Sequence, residues 1–280
     1  MHSASLPRGN DMTTTVRREE IIAAEPVESL AAMLGIEVPS GEGDAVPPMW
    51  HWMYLLERTA QNELGEDGHP VVGIPAPPGP GRRRMFAGGR VTTLAPLRIG
   101  RPATKVISLA RSVDKVGKTG PLTFTTVLHE IFQDGELVIR EEQDIVYRAE
   151  GGEPLPPAKP AAPAPKGPRI ELHVDERLLF RFSALTYNAH RIHYDRDWCE
   201  QEGYDGLVIH GPLLALLAGD LYRREGVDLT GKTFSYRLVS PLTGSQECVI
   251  VPGPDGLAAG AEARGADGTI AAVASIADAA

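Results

Sequence analysis

The sequence predicts an α+β protein of two similar halves, each an antiparallel sheet wrapped around a central helix. Three observations predict it. Residues 150–168 are proline-rich, cannot pack, and divide the chain as an extended tether spanning on the order of 50 Å. The same order of elements then occurs on both sides: a helical lead-in, an apolar central helix and a run of strands. Strands and helices do not alternate, so a parallel sheet is not indicated. The expected organisation is an N-terminal extension over 1–15, a first domain over 16–149, the tether, and a second domain over 169–280.

Taken in order, Met1 to Thr15 lack the apolar core of a signal peptide and read as a disordered extension. From Thr15 to Gly35 the pattern is helix-like, with Val27, Leu30, Ala31 and Leu34 at i, i+3, i+4, i+7 and Gly35 as a C-cap. Pro47-Pro48 and Gly65 bracket a second segment, Met49 to Leu64, expected to be the first central helix. Residues 66–89, rich in glycine and proline, read as loop. Strand character follows in Arg90 to Leu94, Ala103 to Val116, Leu122 to Phe132 and Leu137 to Tyr147, with a hairpin turn at Asp134-Gly135. Beyond the tether, residues 170–182 lead into a polar loop. The apolar run from Pro212 to about Arg224 is the second central helix, and strands are expected over Thr233–Val239, Gln246–Pro252 and Ala258–Ala277. Val27–Leu34 and Leu179–Thr186 then occupy equivalent places in the two halves, as do Pro47–Leu64 and Pro212–Arg224.

Bulk properties exclude several classes. With 280 residues, 42% hydrophobic and 23% charged, the chain has ample length for a packed core. A net charge of −9 argues against a nucleic-acid partner, which needs a basic face. Arg82-Arg83-Arg84 is the local exception, either a solvated cluster or an anion site. Cys199 and Cys248 provide neither a disulfide framework nor a zinc motif, and a reducing cytoplasm fits. No apolar run approaches the ~18–20 residues a membrane helix needs, so no membrane partner is expected.

The chemistry-bearing stretch is Phe182-Ser-Ala-Leu-Thr-Tyr-Asn-Ala-His-Arg-Ile-His-Tyr-Asp195, followed by Gly206-Leu-Val-Ile-His-Gly-Pro212. Acid/base groups in a loop precede a Gly-Pro helix start, whose free N–H groups and dipole can hold developing negative charge. This cadence resembles the MaoC-type hot-dog hydratases, in the branch of type 2 hydroxyacyl-thioester dehydratases and itaconyl-CoA and mesaconyl-CoA hydratases. Pro47-Pro-Met-Trp-His-Trp52, Arg84-Met-Phe-Ala-Gly-Gly-Arg90 and Glu141-Glu-Gln-Asp-Ile-Val-Tyr-Arg148 extend the resemblance over most of residues 20–277. It implies a double hot-dog fold. It also implies reversible hydration of an enoyl-CoA, with a C5 dicarboxylic acyl group of itaconyl or mesaconyl type and no cofactor beyond the substrate's own CoA. A fatty-acyl or polyketide-type dehydratase, a hot-dog thioesterase and a non-catalytic acyl-CoA-binding module are the alternatives. Both a monomer and a homodimer are compatible with a chain that already contains two hot-dog units.

The family's acid/base pair is an Asp and a His five residues later, which lands on Asn188 and His193. Asn cannot take or give a proton. His193 is therefore the expected general acid/base, worth roughly 10²–10⁴-fold, with Asn188 positioning water. The Gly211 N–H is the expected oxyanion donor, worth about 10²–10³-fold, unless the glycine serves only close packing. Asp195 either fixes the His193 tautomer or caps a helix near Arg196. His210 and His190 are supporting candidates, and Ser183 and Thr186 are expected to satisfy local backbone groups. On the substrate side stand Arg191, Arg84, Arg90, Trp52 and Tyr187, although Arg191 fits a surface ion pair equally and Trp52 fits a core position. His190, His193 and Asp195 lack the further ligand a catalytic metal needs, so none is expected.

Overall fold

The computed structural model describes residues 14–77, 79, 81–117, 120–149 and 163–279. Ten antiparallel strands form one sheet in the order β1-β3-β4-β5-β2-β7-β10-β9-β8-β6. The first half supplies β1 (Thr15–Ile21), α1 (Glu25–Leu34), β2 (Arg82–Thr93), β3 (Pro102–Gly117), β4 (Gly120–Gln133) and β5 (Glu136–Ala149). The second supplies β6 (Ile170–Val174), α2 (Glu176–Thr186), α3 (Arg196–Gln201), α4 (Gly211–Arg224), β7 (Lys232–Leu238), β8 (Gln246–Gly253), β9 (Gly256–Arg264) and β10 (Ile270–Asp278).

Each half is five strands wide. They join edge to edge where β2 pairs with β7, with Arg90 opposite Ser235 and Gly89 opposite Tyr236. Pairing the two exposed edges satisfies backbone groups that two separate sheets would leave open. α4 lies against β7–β10 and is buried from Leu213 to Tyr222, as expected of a helix that is apolar nearly all round. Tyr222 meets Phe234 edge-on, which places the alternate residues Phe234, Tyr236 and Leu238 on the α4 face of β7. Among the described residues no helix is long and apolar enough to cross a membrane.

Several sequence expectations hold. α1 ends on Gly35, whose φ of 65° and N–H bond to the Ala31 carbonyl make it the C-cap. Asp134 and Gly135, with φ of 53° and 85°, turn β4 into β5. Others are corrected. Residues 15–21 are strand β1 rather than the start of a helix. Arg82–Gly89 belong to β2 rather than to a loop. Ala258–Ala277 is divided into β9 and β10 by the turn through Ala266 and Gly268.

The largest departure is at residues 47–64, where only short 3₁₀ turns form, at Trp50–Met53 and Gln61–Glu63. Met49 and Leu55 take left-handed φ values of 66° and 54°, interrupting a helix on both sides. Their neighbours are drawn to different partners. Trp50 Nε1 donates to Asp220 on α4 at 3.3 Å, while Trp52 Nε1 donates to buried Glu141 on β5 at 2.7 Å. Met49 fills the hollow over Gly219, where a Cβ would stand 2.4 Å from Met49 Cε. The first central helix is thus replaced by a wedge between α4 and the first half's strands. The N-terminal extension and the tether fall largely outside the described residues.

Candidate active site

The loop after α2 and the start of α4 gather histidines into one cluster. Tyr187, with φ of 51°, ends α2. The Asn188 side-chain oxygen then accepts the His190 N–H at 3.0 Å, closing an Asx turn. A 3₁₀ turn at Arg191–His193 carries His193 inward, where its Nδ1 lies 2.7 Å from the Val208 carbonyl. A carbonyl only accepts, so Nδ1 carries the proton and Nε2 keeps its lone pair. His193 stacks on His210 at 3.6 Å between ring centroids, and His190 stands edge-on to His193 at 5.5 Å. His210, fully buried, precedes Gly211, the first residue of α4, whose N–H has no intrahelical acceptor.

All of these imidazoles are held neutral. Burial pulls His193 down to about 4, against the Val208 hydrogen bond, which raises it. Burial also lowers His190 and His210, and the facing histidines add to it. At neutral pH His193 is therefore a base with an open Nε2.

A fourth histidine reaches the cluster from the first half. His69 lies 4.0 Å from His190 between ring centroids, and its Nδ1 pairs with Asp67 Oδ2 at 2.9 Å. Asp67 Oδ1 accepts the His69 N–H, so both carboxylate oxygens are engaged by one residue. The turn carrying them docks on the loop after α2: Arg191 N–H donates to the Asp67 carbonyl at 2.9 Å, and Arg191 Nη1 to that of Glu66. Gly68 makes the approach possible, because with φ of 86° a Cβ there would stand 1.9 Å from the Ala189 oxygen. In the sequence Asp67 and Gly68 fall within residues 66–89, read only as loop. No spacing rule connects them to a loop about 120 residues later.

The structure sorts the other expected residues. Asp195 does not touch the His193 ring; its Oδ1 caps α3 through the Trp198 N–H and its Oδ2 pairs with Arg191 at 2.6 Å. The tautomer-fixing role falls to Val208. Arg191 is likewise engaged locally, with Asp195 and with the Trp198 ring at 4.2 Å, as the ion-pair alternative expects. Ser183 bonds His210 Nε2 at 2.9 Å rather than backbone, whereas Thr186 does bond the Phe182 carbonyl. Tyr187 is 58% exposed and outside the cluster. Trp52 sits against Tyr236 on the apolar wall, bonded to Glu141. A Cβ on Gly211 would stand 2.2 Å from Leu238, so that glycine meets a packing demand as well as presenting its N–H.

Arg84 and Arg90 part company. Arg90 pairs with Glu142 and Asp144 on the sheet face away from α4, where it lines a groove of ≈ 780 Å³ with Arg111, Lys115 and Arg237. It stands apart from the histidines, on the other face of the sheet. Six residues apart on a regular strand, Arg84 would share that face. The register shift between Phe86 and Gly88 inserts Ala87 as a bulge and reverses the alternation. Phe86 accordingly meets Tyr236 on the α4 face, and Arg84 lies on its side.

Asp67, His69 and His190 also present donor atoms within 4.8 Å of one another, a set that could hold a metal ion. Asp67 and His69 already satisfy each other, and the Arg84 charge, felt by all three, opposes a cation there.

Residues 49–244 match the model of the family "hydroxyacyl-thioester dehydratase type 2". The chain is 46% identical over 251 residues to a mesaconyl-C(4)-CoA hydratase of Chloroflexus aurantiacus, covering 87% of this chain and 89% of that protein. Among solved structures it is similar to HtdX of Mycobacterium tuberculosis, with a TM-score of 0.67 at 14% identity over 95% of this chain and 100% of that one. A second M. tuberculosis protein, whose structure is titled a double hotdog fold, gives a TM-score of 0.59 at 11% identity over 96% of each chain. The architecture is the double hot dog, and the chain belongs to the hydroxyacyl-thioester dehydratase type 2 family.

Proposed function

We propose that this protein adds water reversibly across the double bond of a short dicarboxylic enoyl-CoA of mesaconyl type. One observation carries the chemistry: a neutral His193, its Nδ1 proton held by the Val208 carbonyl, opens Nε2 beside the N-terminus of α4. The 46% identity to a mesaconyl-C(4)-CoA hydratase supports the acyl group.

In hydration, Nε2 takes a proton from water as the oxygen bonds to C3. The π electrons move onto the thioester oxygen, which the Gly211 N–H and the α4 dipole stabilise. The imidazolium then returns its proton to C2, and the enolate collapses to the saturated thioester. The Asn188 oxygen is engaged by the His190 N–H, leaving its amide N–H groups to orient the water. His210, stacked beneath His193 and tied to Ser183, fixes the ring plane. No cofactor is needed, since the CoA arrives with the substrate.

The test follows the enoyl-thioester absorbance with crotonyl-, mesaconyl- and itaconyl-CoA. The wild type should consume a dicarboxylic substrate, and His193→Ala should lose ~10²–10⁴-fold in kcat with its fold intact. Binding of CoA esters without turnover would instead make the protein an acyl-CoA-binding module. Near-normal turnover by His193→Ala would remove that residue from the mechanism.

A further inference from the structure

We propose that Arg84 is the specificity-determining residue of this site, holding the substrate's free carboxylate beside the histidines. The inference rests on the hydratase reading above and names the group that makes the site dicarboxylic.

The substrate's chemistry sets the geometry. In a mesaconyl thioester formed at C4, the free carboxylate is attached to the carbon β to the thioester carbonyl, the same carbon that takes the water. The cation that recognises it must therefore stand beside the acid/base group, not at the end of a long acyl tunnel. An unneutralised carboxylate on that carbon would also repel an approaching hydroxide-like oxygen, so a cation there serves the reaction as well as binding.

Arg84 approaches the histidine cluster from the first half, its charge felt at Asp67, His69 and His190, the last of which stands edge-on to His193. The bulge at Ala87 turns it onto the face of Phe86 and Tyr236, the α4 side of the sheet. Its β5 partner is buried Tyr147, so its surroundings are not bulk solvent. Its neighbours have their own partners: Arg83 pairs with Glu202, Arg90 with Glu142 and Asp144, and Arg191 with Asp195. Among the described residues Arg84 makes no ion pair and no hydrogen bond. Asp67, the acidic group whose ionisation its charge favours, has both oxygens engaged by His69. A partly buried guanidinium without an anion is costly to leave unpaired. Its planar fork fits a carboxylate through two parallel N–H bonds.

The experiment compares kcat/KM for mesaconyl-C4-CoA and crotonyl-CoA, which lacks the second carboxylate, in wild type, Arg84→Met and Arg84→Lys. The expected result is an about 10- to 100-fold fall in the mesaconyl/crotonyl ratio for Arg84→Met, the loss of one charge-assisted pair. Arg84→Lys, which keeps the charge but not the fork, should recover part of that ratio. Turnover of crotonyl-CoA reports that each variant is folded. An equal fall on both substrates, or no change in the ratio, overturns the proposal. So does a wild type that hydrates crotonyl-CoA and ignores mesaconyl-C4-CoA, an outcome that keeps the His193 hydratase chemistry but removes the mesaconyl acyl group. A wild type inactive on both removes the two together.

Discussion

At the scale of single residues, the site departs from a carboxylate–imidazole pair at one position, and the structure shows how the departure is accommodated. Asn188 spends its oxygen on the His190 N–H, a bond an aspartate would also make. Asn188→Asp should therefore fold normally and place a carboxylate near a neutral His193. An opposite charge favours the protonated imidazole, so the His193 pKa should rise from about 4 by about one to three units. In the proposed mechanism activity needs neutral His193. The acid limb of kcat/KM against pH should move upward, the variant losing rate between pH 7 and 5 where the wild type stays flat. An unmoved limb would mean that position 188 does not face His193. Asn188, His193 and Gly211 could be named as candidates from the sequence because they lie in one motif within about 25 residues. Asp67 and His69 were not, because their place depends on a tertiary contact gated by the absent side chain of Gly68.

At the scale of elements, local signals were decisive where one partner could satisfy them and misleading where several competed. The proline start and glycine end of residues 47–64 describe a helix well. Trp50, however, is drawn to α4 and Trp52 to β5, and left-handed residues at 49 and 55 settle the competition. A bulge is equally silent in sequence: Gly88-Gly89 allows one, but only the register with β5 and β7 shows that Arg84 and Arg90 face opposite ways. Asp195 shows an element-scale role hidden inside the motif that carries the candidate catalytic residues. As the N-cap of α3 it accepts the Trp198 N–H. Asp195→Ala should lower stability by about 0.5–2 kcal/mol in urea denaturation, while Asp195→Asn should retain most of it. Neither should change the shape of the pH–rate profile. A shifted profile in Asp195→Ala would restore the tautomer-fixing role that Val208 now holds.

At the scale of the whole molecule, the two halves were legible as a repeat, but not their fusion into one sheet, since edge pairing of β2 with β7 leaves no periodicity of its own. The fusion matters to function because it brings the 65–70 turn and Arg84 of one half to the histidines of the other. The cost of that assembly is a set of buried imidazoles with a consequence for acid stability. His69, His190, His193 and His210 all have lowered folded-state pKa values, chiefly through burial, whereas in the unfolded chain each titrates near 6.5. The unfolded state thus binds protons that the folded state refuses. Stability is fully present above pH 6.5 and is lost as the pH falls through that value, until the folded groups themselves protonate, His193 near 4. Each such group contributes a slope of about 1.4 kcal/mol per pH unit once the unfolded imidazole is charged. Unfolding free energies measured in urea between pH 7 and 4.5 should therefore fall with acid, most steeply below about pH 6. His190→Asn, which keeps a polar side chain but cannot titrate, should flatten that slope by about 1.4 kcal/mol per unit and make the variant relatively more stable in acid than at neutral pH. An unchanged slope would mean that His190 takes up its proton in the folded state, and would place it in water rather than against His69 and His193.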